Sequence, residues 1–135
     1  KTKVIDAKGK LVLPGFNDSH VHFMAIGNQF SSVNLKGVKT PREIVERLEY
    51  NLKFQPKKRG VLGGGWNHAD WTPATLPTKE LIDAVAPDNP VFLYHADART
   101  VLVNSLALKI SGIDKASKNP GLERDAKGEL TGILK

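Results

Sequence analysis

The sequence predicts an α/β fold. Segments patterned as strands alternate with segments whose apolar residues recur at helical spacing. Capping residues stand where the helical segments begin. The run "PVFLYHA" around residues 91–96 is almost continuously apolar, as in a strand buried on both faces. The 135 residues suffice for one globular domain with a sizeable core and not for several.

Taken in order, residues 3–5 and 10–13 read as two short extended segments joined by a turn at "DAKG", where Gly9 can take a positive φ. Residues 16–22 read as a further strand that puts Phe16, Asp18, His20 and His22 on one face by the period of two. "NQFSSVNLKGV" reads as irregular, with a short helix near residues 24–30. The clearest helix runs from Pro41 to about Phe54. Thr40 is its N-cap, Pro41 suits the first helical position, and Glu43 completes a Thr-x-x-Glu capping box. Ile44, Val45, Leu48 and Leu52 form its apolar stripe.

"GVLGGGW" reads as a strand running into a flexible glycine loop. A second helix is expected over residues 79–86, capped by Thr78, with Leu81, Ile82 and Val85 inward and Pro87 stopping it. Asn104 caps a short helix through Ile110 that Gly112 ends. The tail "LERDAKGELTGIL" reads as a hairpin turning at residues 126–128. No internal repeat or low-complexity segment appears.

Composition narrows the function classes. Hydrophobic residues make up 40% and charged residues 25%, an ordinary soluble mixture. No apolar run is long enough to span a membrane, and no signal-peptide pattern opens the chain. The absence of cysteine excludes disulfides and thiolate metal sites, and fits a cytoplasmic protein. The net charge of +6 raises the question of nucleic acid. The basic residues are scattered, however, and the densest run, Lys57 to Arg59, lies in a polar connector without interleaved aromatics. A small-molecule substrate is the expected partner, with a homo-oligomer allowed, and neither nucleic acid nor membrane.

The chemistry-bearing motif is "PGFNDSHVHF". His20 and His22 stand on one side of an extended segment, about 6.5–7 Å apart along it. Two such imidazoles can converge on one divalent metal. Alone, the pair fits two surface histidines as well. Asp18, on the same face, is placed to orient an imidazole from behind. Elsewhere, the three glycines at residues 63–65 lack the Gly-Lys-Ser/Thr of a phosphate loop, and Ser105 has no histidine at a telling spacing. Trp66, His68, Asp70 and Trp71 form a polar-aromatic cluster, and His95 and Asp97 end the buried strand.

"VIDAKGKLVLPGFNDSHVHF" resembles the N-terminal signature of the amidohydrolase superfamily of metal-dependent hydrolases. "GGGWNHADW", "LPTKELIDAVAPDNPVFLYHAD", "VLVNSLALKISGI" and "DAKGELTGIL" resemble, in order, the long insertion after the first barrel strand in one branch. That branch, amidohydrolase family 3, includes enzymes like N-substituted formamide deformylase.

The resemblance implies a fragment of a (β/α)₈ barrel, with residues 1–15 ending a β-sandwich, 16–30 carrying the first barrel strand and 31–135 forming part of an α/β insertion domain. It implies that His20 and His22 ligate a divalent metal, zinc by expectation, with Asp18 supporting them. Trp66, His68, Asp70, His95 and Arg99 are then candidates for substrate contact. The implied activity is hydrolysis of a C–N bond in an amide, formamide or cyclic amide.

Two departures stand out. Many relatives have Gly-His at Ala98-Arg99, and Gly-Trp-Asp at Gly65-Trp66-Asn67. A barrel needs about 250 residues, so the remaining ligands and the water-activating Asp are expected beyond Lys135. The competing expectation is an inactive fragment or a small α/β binding module. Cut from its neighbours, the segment is expected to expose Phe16, Val91 and Leu93, and either to self-associate or to be only partly ordered near residues 11–30.

Overall fold

The computed structural model describes residues 1–21, 23, 24, 27 and 31–135. A six-stranded sheet organises them: β1 (Val33–Asn34), β2 (Val61–Trp66), β3 (Val91–His95), β4 (Val101–Val103), β5 (Leu122–Arg124) and β6 (Leu130–Leu134). The spatial order is β1-β2-β3-β4-β6-β5. β1, β2 and β3 run parallel, and the remaining neighbours are antiparallel. The α/β prediction is met, by a mixed rather than an all-parallel sheet.

Helix α1 (Pro41–Leu52) follows β1. Thr40 is extended, and its hydroxyl accepts the Glu43 amide at 3.3 Å. The Glu43 carboxylate reaches back one residue further than in the usual box, accepting the Lys39 amide at 3.2 Å. Ile44 and Leu48 are fully buried, with Leu52 packed beside them.

Helix α2 (Glu80–Asp83) is shorter than predicted, and Lys79 rather than Thr78 is its N-cap. The Lys79 amide is drawn into a hydrogen bond with the Thr131 carbonyl at 2.7 Å, so the chain enters the helix from the sheet side. Burial opposes ionisation of Glu80, but bonds from Lys79, Thr78 and its own amide bring its carboxyl down to about 2.

Helix α3 (Ser105–Ile110) is capped by Asn104, whose side chain accepts the Ala107 amide at 2.9 Å. Gly112, at φ +68, closes it as predicted. The β5–β6 hairpin turns where expected: Gly128 has φ +79, and its amide bonds the Asp125 carbonyl at 3.0 Å.

Two apolar clusters flank the sheet. The larger joins α1, α2, Trp66 and Trp71 to Val61, Val91, Leu93, Leu102 and Ile133. The smaller joins α3 to Val103 and Leu130, with Phe92, Val101 and Leu122 against it.

Several expectations are corrected. Gly63 to Gly65 are not a flexible loop, because all three lie inside β2. A Cβ on Gly63 would stand 2.7 Å from the Val33 carbonyl oxygen, so glycine is what lets β1 approach. Residues 3–5, 10–13 and 16–21 form no strand: they are exposed, with only a turn at residues 8–9. These segments find no partner strand among the described residues, and an unpaired strand has no ladder to hold it. Phe16 is 94% exposed as expected, but Val91 and Leu93 are completely buried under α1 and α2. The helix expected near residues 24–30 lies mostly outside the described residues, as does His22. Two short strands went unpredicted, β1 and β4.

Candidate functional site

The parallel strands β2 and β3 end side by side, with Trp66 opposite His95. The register shifts between Gly64 and Trp66, and Gly65 takes φ +94 there. A Cβ at Gly65 would lie 2.6 Å from the Lys36 side chain, so the bulge needs glycine. The bulge delivers the Trp66 indole into the core, where it is wholly buried. Its Nε1–H donates to the Leu93 carbonyl at 2.8 Å. Trp71 stacks on it at 6.0 Å and donates to the Val38 carbonyl at 3.1 Å. The tryptophans make a dry floor.

His95 stands on that floor, edge-on to Trp66 with ring centres 4.6 Å apart. His68 opens a short 3₁₀ turn, His68–Asp70, whose cap is Asn67 accepting the Ala69 amide at 3.1 Å. An amide oxygen performs this capping as a carboxylate would. The turn brings His68 Nδ1 to 3.3 Å from His95 Nε2.

Behind His95, Asp97 Oδ2 lies 3.2 Å from Nδ1. The Thr100 and Arg99 amides both donate to Asp97 Oδ1 at 2.8 Å, and the Thr100 hydroxyl donates to Oδ2 at 2.8 Å. The amides of Thr100 and Arg99 dominate, against some desolvation, in holding the Asp97 carboxyl well below the usual carboxylate range; the Thr100 hydroxyl and His95 add to them. Ala98 sits inside this tight turn at φ +57, the left-handed region where glycine is at ease.

Of the predicted contact residues, the fold therefore gathers Trp66, His68 and His95. Asp70 and Arg99 are exposed at the ends of the two turns. Thr100 was missed by sequence reasoning; its only signal is the Asp-x-x-Thr spacing, which lets one carboxylate accept both its amide and its hydroxyl. On the opposite side of the sheet, a groove of about 570 Å³ is lined by Asn34, Lys36, Arg59, Leu62 and Tyr94.

His20 is exposed, and its backbone amide donates to Asp18 Oδ1 at 3.0 Å. Neutral imidazole suits a divalent transition metal, so the donor chemistry of His20 fits one. Among the described residues, however, no group of three or more His, Asp or Glu side chains is arranged around one metal position. Nor is any helix among them long and apolar enough to cross a membrane.

Comparison with known proteins bears on this geometry. The profile of the amidohydrolase family matches residues 3–135. The chain is 38% identical over 136 residues to the protein LONG AFTER FAR-RED 3 of Arabidopsis thaliana, covering 98% of this chain and 23% of that one. It is 33% identical over 137 residues to the N-substituted formamide deformylase of Arthrobacter pascens, covering 98% of this chain and 25% of that enzyme. The chain thus spans about a quarter of the length of these relatives. Among solved structures, an uncharacterized metal-dependent hydrolase from Pyrococcus furiosus superposes with a TM-score of 0.65 at 29% identity, over 90% of this chain and 22% of that one. One from Pyrococcus horikoshii gives 0.65 at 27% identity, over 87% and 21%.

Proposed function

The chain belongs to the amidohydrolase family, and from that premise we propose that it is part of a metal-dependent hydrolase cleaving C–N bonds of amides, formamides or cyclic amides. The observation that carries the reading is the match over residues 3–135, a range that includes the His20-x-His22 pair. The likeness to an N-substituted formamide deformylase supports the choice of bond, and the likeness to proteins described as metal-dependent hydrolases supports the cofactor. In this proposal residues 1–15 complete a β-sandwich, residues 16–30 carry the first strand of a (β/α)₈ barrel, and residues 31–135 belong to an insertion domain beside the barrel mouth.

His20 and His22 hold the divalent metal, taken as zinc, and Asp18 supports them, its Oδ1 already accepting the His20 amide. When bound, such an ion polarises a carbonyl and lowers the pKa of a coordinated water toward about 7. The insertion supplies a rigid wall. Trp66 and Trp71 exclude water from beneath it, and His68, Asp70, His95 and Arg99 present polar groups to a small substrate. The protein acts in the cytoplasm in this reading.

The test is hydrolysis of a panel of N-formyl, N-acyl and cyclic amides by the protein produced at the length of its relatives, with and without added zinc. Metal-dependent turnover of at least one class is expected, and His20→Ala or His22→Ala should reduce it by about a thousandfold or more while leaving the fold intact. Undiminished turnover in either variant would refute the ligand assignment.

A further inference from the structure

Two of the residues assigned to substrate contact, His68 and His95, are also paired with each other. His68 Nδ1 and His95 Nε2 are 3.3 Å apart, long for an N–H···N hydrogen bond. Two imidazole nitrogens that each sit about 2.0–2.1 Å from one tetrahedral ion are about 3.3–3.4 Å apart. The pair therefore already has the span of two ligands on a common metal.

His95 carries a second feature of such sites. Its Nδ1 lies 3.2 Å from both the Asp97 amide nitrogen and Asp97 Oδ2. The amide asks Nδ1 to accept, whereas the carboxylate asks it to donate, so the two contacts belong to different tautomers. When Nδ1–H points at the carboxylate, the Nε2 lone pair faces His68. This is the carboxylate–histidine arrangement that fixes a ligating imidazole. The bonds from the Thr100 and Arg99 amides and the Thr100 hydroxyl hold the carboxylate in place for it. The site also lies at the carboxyl ends of parallel strands, where sheets of this kind present their binding groups, over a floor of two buried tryptophans.

We propose that His68 and His95 form a two-imidazole site for a divalent transition metal, with Asp97 selecting the His95 tautomer that binds. Among the described residues no third His, Asp or Glu completes the shell. Water or a small ligand then fills the other positions, and the site is open rather than structural. Imidazole donors favour copper, nickel and zinc over magnesium or calcium, with copper tightest.

The chain contains four histidines, so His20→Ala with His22→Ala leaves this pair as the whole of its imidazole. That double variant is titrated with Cu²⁺ and, separately, Mg²⁺, by calorimetry and by tryptophan fluorescence, since Trp66 lies against His95 and Trp71 stacks on Trp66. One Cu²⁺ should bind per chain and quench the fluorescence, while Mg²⁺ does neither. Adding His68→Gln should weaken Cu²⁺ at least tenfold. Adding Asp97→Asn, which keeps Oδ1 for the Arg99 and Thr100 amides, should weaken it by about 10–100-fold. Circular dichroism confirms the fold of each variant. Failure of the folded double variant to bind Cu²⁺, or Cu²⁺ binding that His68→Gln leaves unchanged, overturns the proposal. Because His20 and His22 are already replaced, either result leaves the hydrolase reading untouched.

Discussion

Asn104 is 1% exposed, and all its side-chain capacity is spent. Its Oδ1 accepts the Val91 amide at 3.1 Å and the Ala107 amide at 2.9 Å. Its Nδ2 donates to the Ala86 carbonyl at 3.0 Å and the Asn89 carbonyl at 2.8 Å. One side chain thus caps α3 and ties the end of the α2 segment to the start of β3. In Asn104→Ala, loss of the cap costs about 1 kcal/mol. The Val91 amide and two buried carbonyls also lose their partner, at about 1–3 kcal/mol for each group that water cannot reach. Partial relaxation brings the expected total to about 3–5 kcal/mol. Urea denaturation followed by tryptophan fluorescence measures it, read at constant slope so that the midpoint reports stability alone. Asn104→Ser, which keeps a capping oxygen, should recover only about 1 kcal/mol of the loss. A cost for Asn104→Ala below about 1 kcal/mol would refute the reasoning, because it would mean that the cap alone matters.

Ala98→Gly should raise stability by about 0.5–1 kcal/mol, since it removes the left-handed strain at φ +57, whereas Ala98→Val should lower it; thermal melts of the three proteins decide. Gly63→Ala should cost more than about 2 kcal/mol and detach β1, because its Cβ would stand 2.7 Å from Val33; faster amide exchange at residues 33–35 is the readout. The Asp97 carboxyl is depressed by the amides of Thr100 and Arg99, so its contribution is fully present above the ordinary carboxylate pKa and disappears as pH falls through the depressed folded value. Urea midpoints should therefore drop below about pH 4, and Asp97→Asn should flatten part of that drop; an equal drop in both proteins would count against it.

Where local chemistry determines an element, the sequence announced it. Thr40, Pro41 and Glu43 mark the start of α1, and Asn104 with Gly112 brackets α3, because caps and left-handed residues act within a few positions. Where pairing determines it, pattern alone misled. Residues 10–13 and 16–21 carry strand-like alternation but pair with no strand among the described residues, whereas Val33–Asn34 pairs through the gap that Gly63 leaves. Gly63 to Gly65 looked like a loop because their usual meaning is flexibility; here they permit close approach and a bulge. The Trp66, His68 and His95 grouping was legible as a set of candidates. Its geometry was not, since it depends on the register of two strands far apart in the chain.

That register also orders events in time. β3 and β4 pair across a short turn, Tyr94 opposite Val101, so their ladder closes a small loop at little entropic cost. The parallel pairs join residues thirty positions apart, Val33 with Gly63 and Val61 with Val91, and closing them is slower. Folding should start at the antiparallel half and zip toward β1. Trp66 and Trp71 both sit at the late-closing junction, so their burial reports the final step rather than collapse. Refolding watched by tryptophan fluorescence should lag refolding watched by backbone circular dichroism, and the His68–His95 pair should exist only after the slower signal has finished.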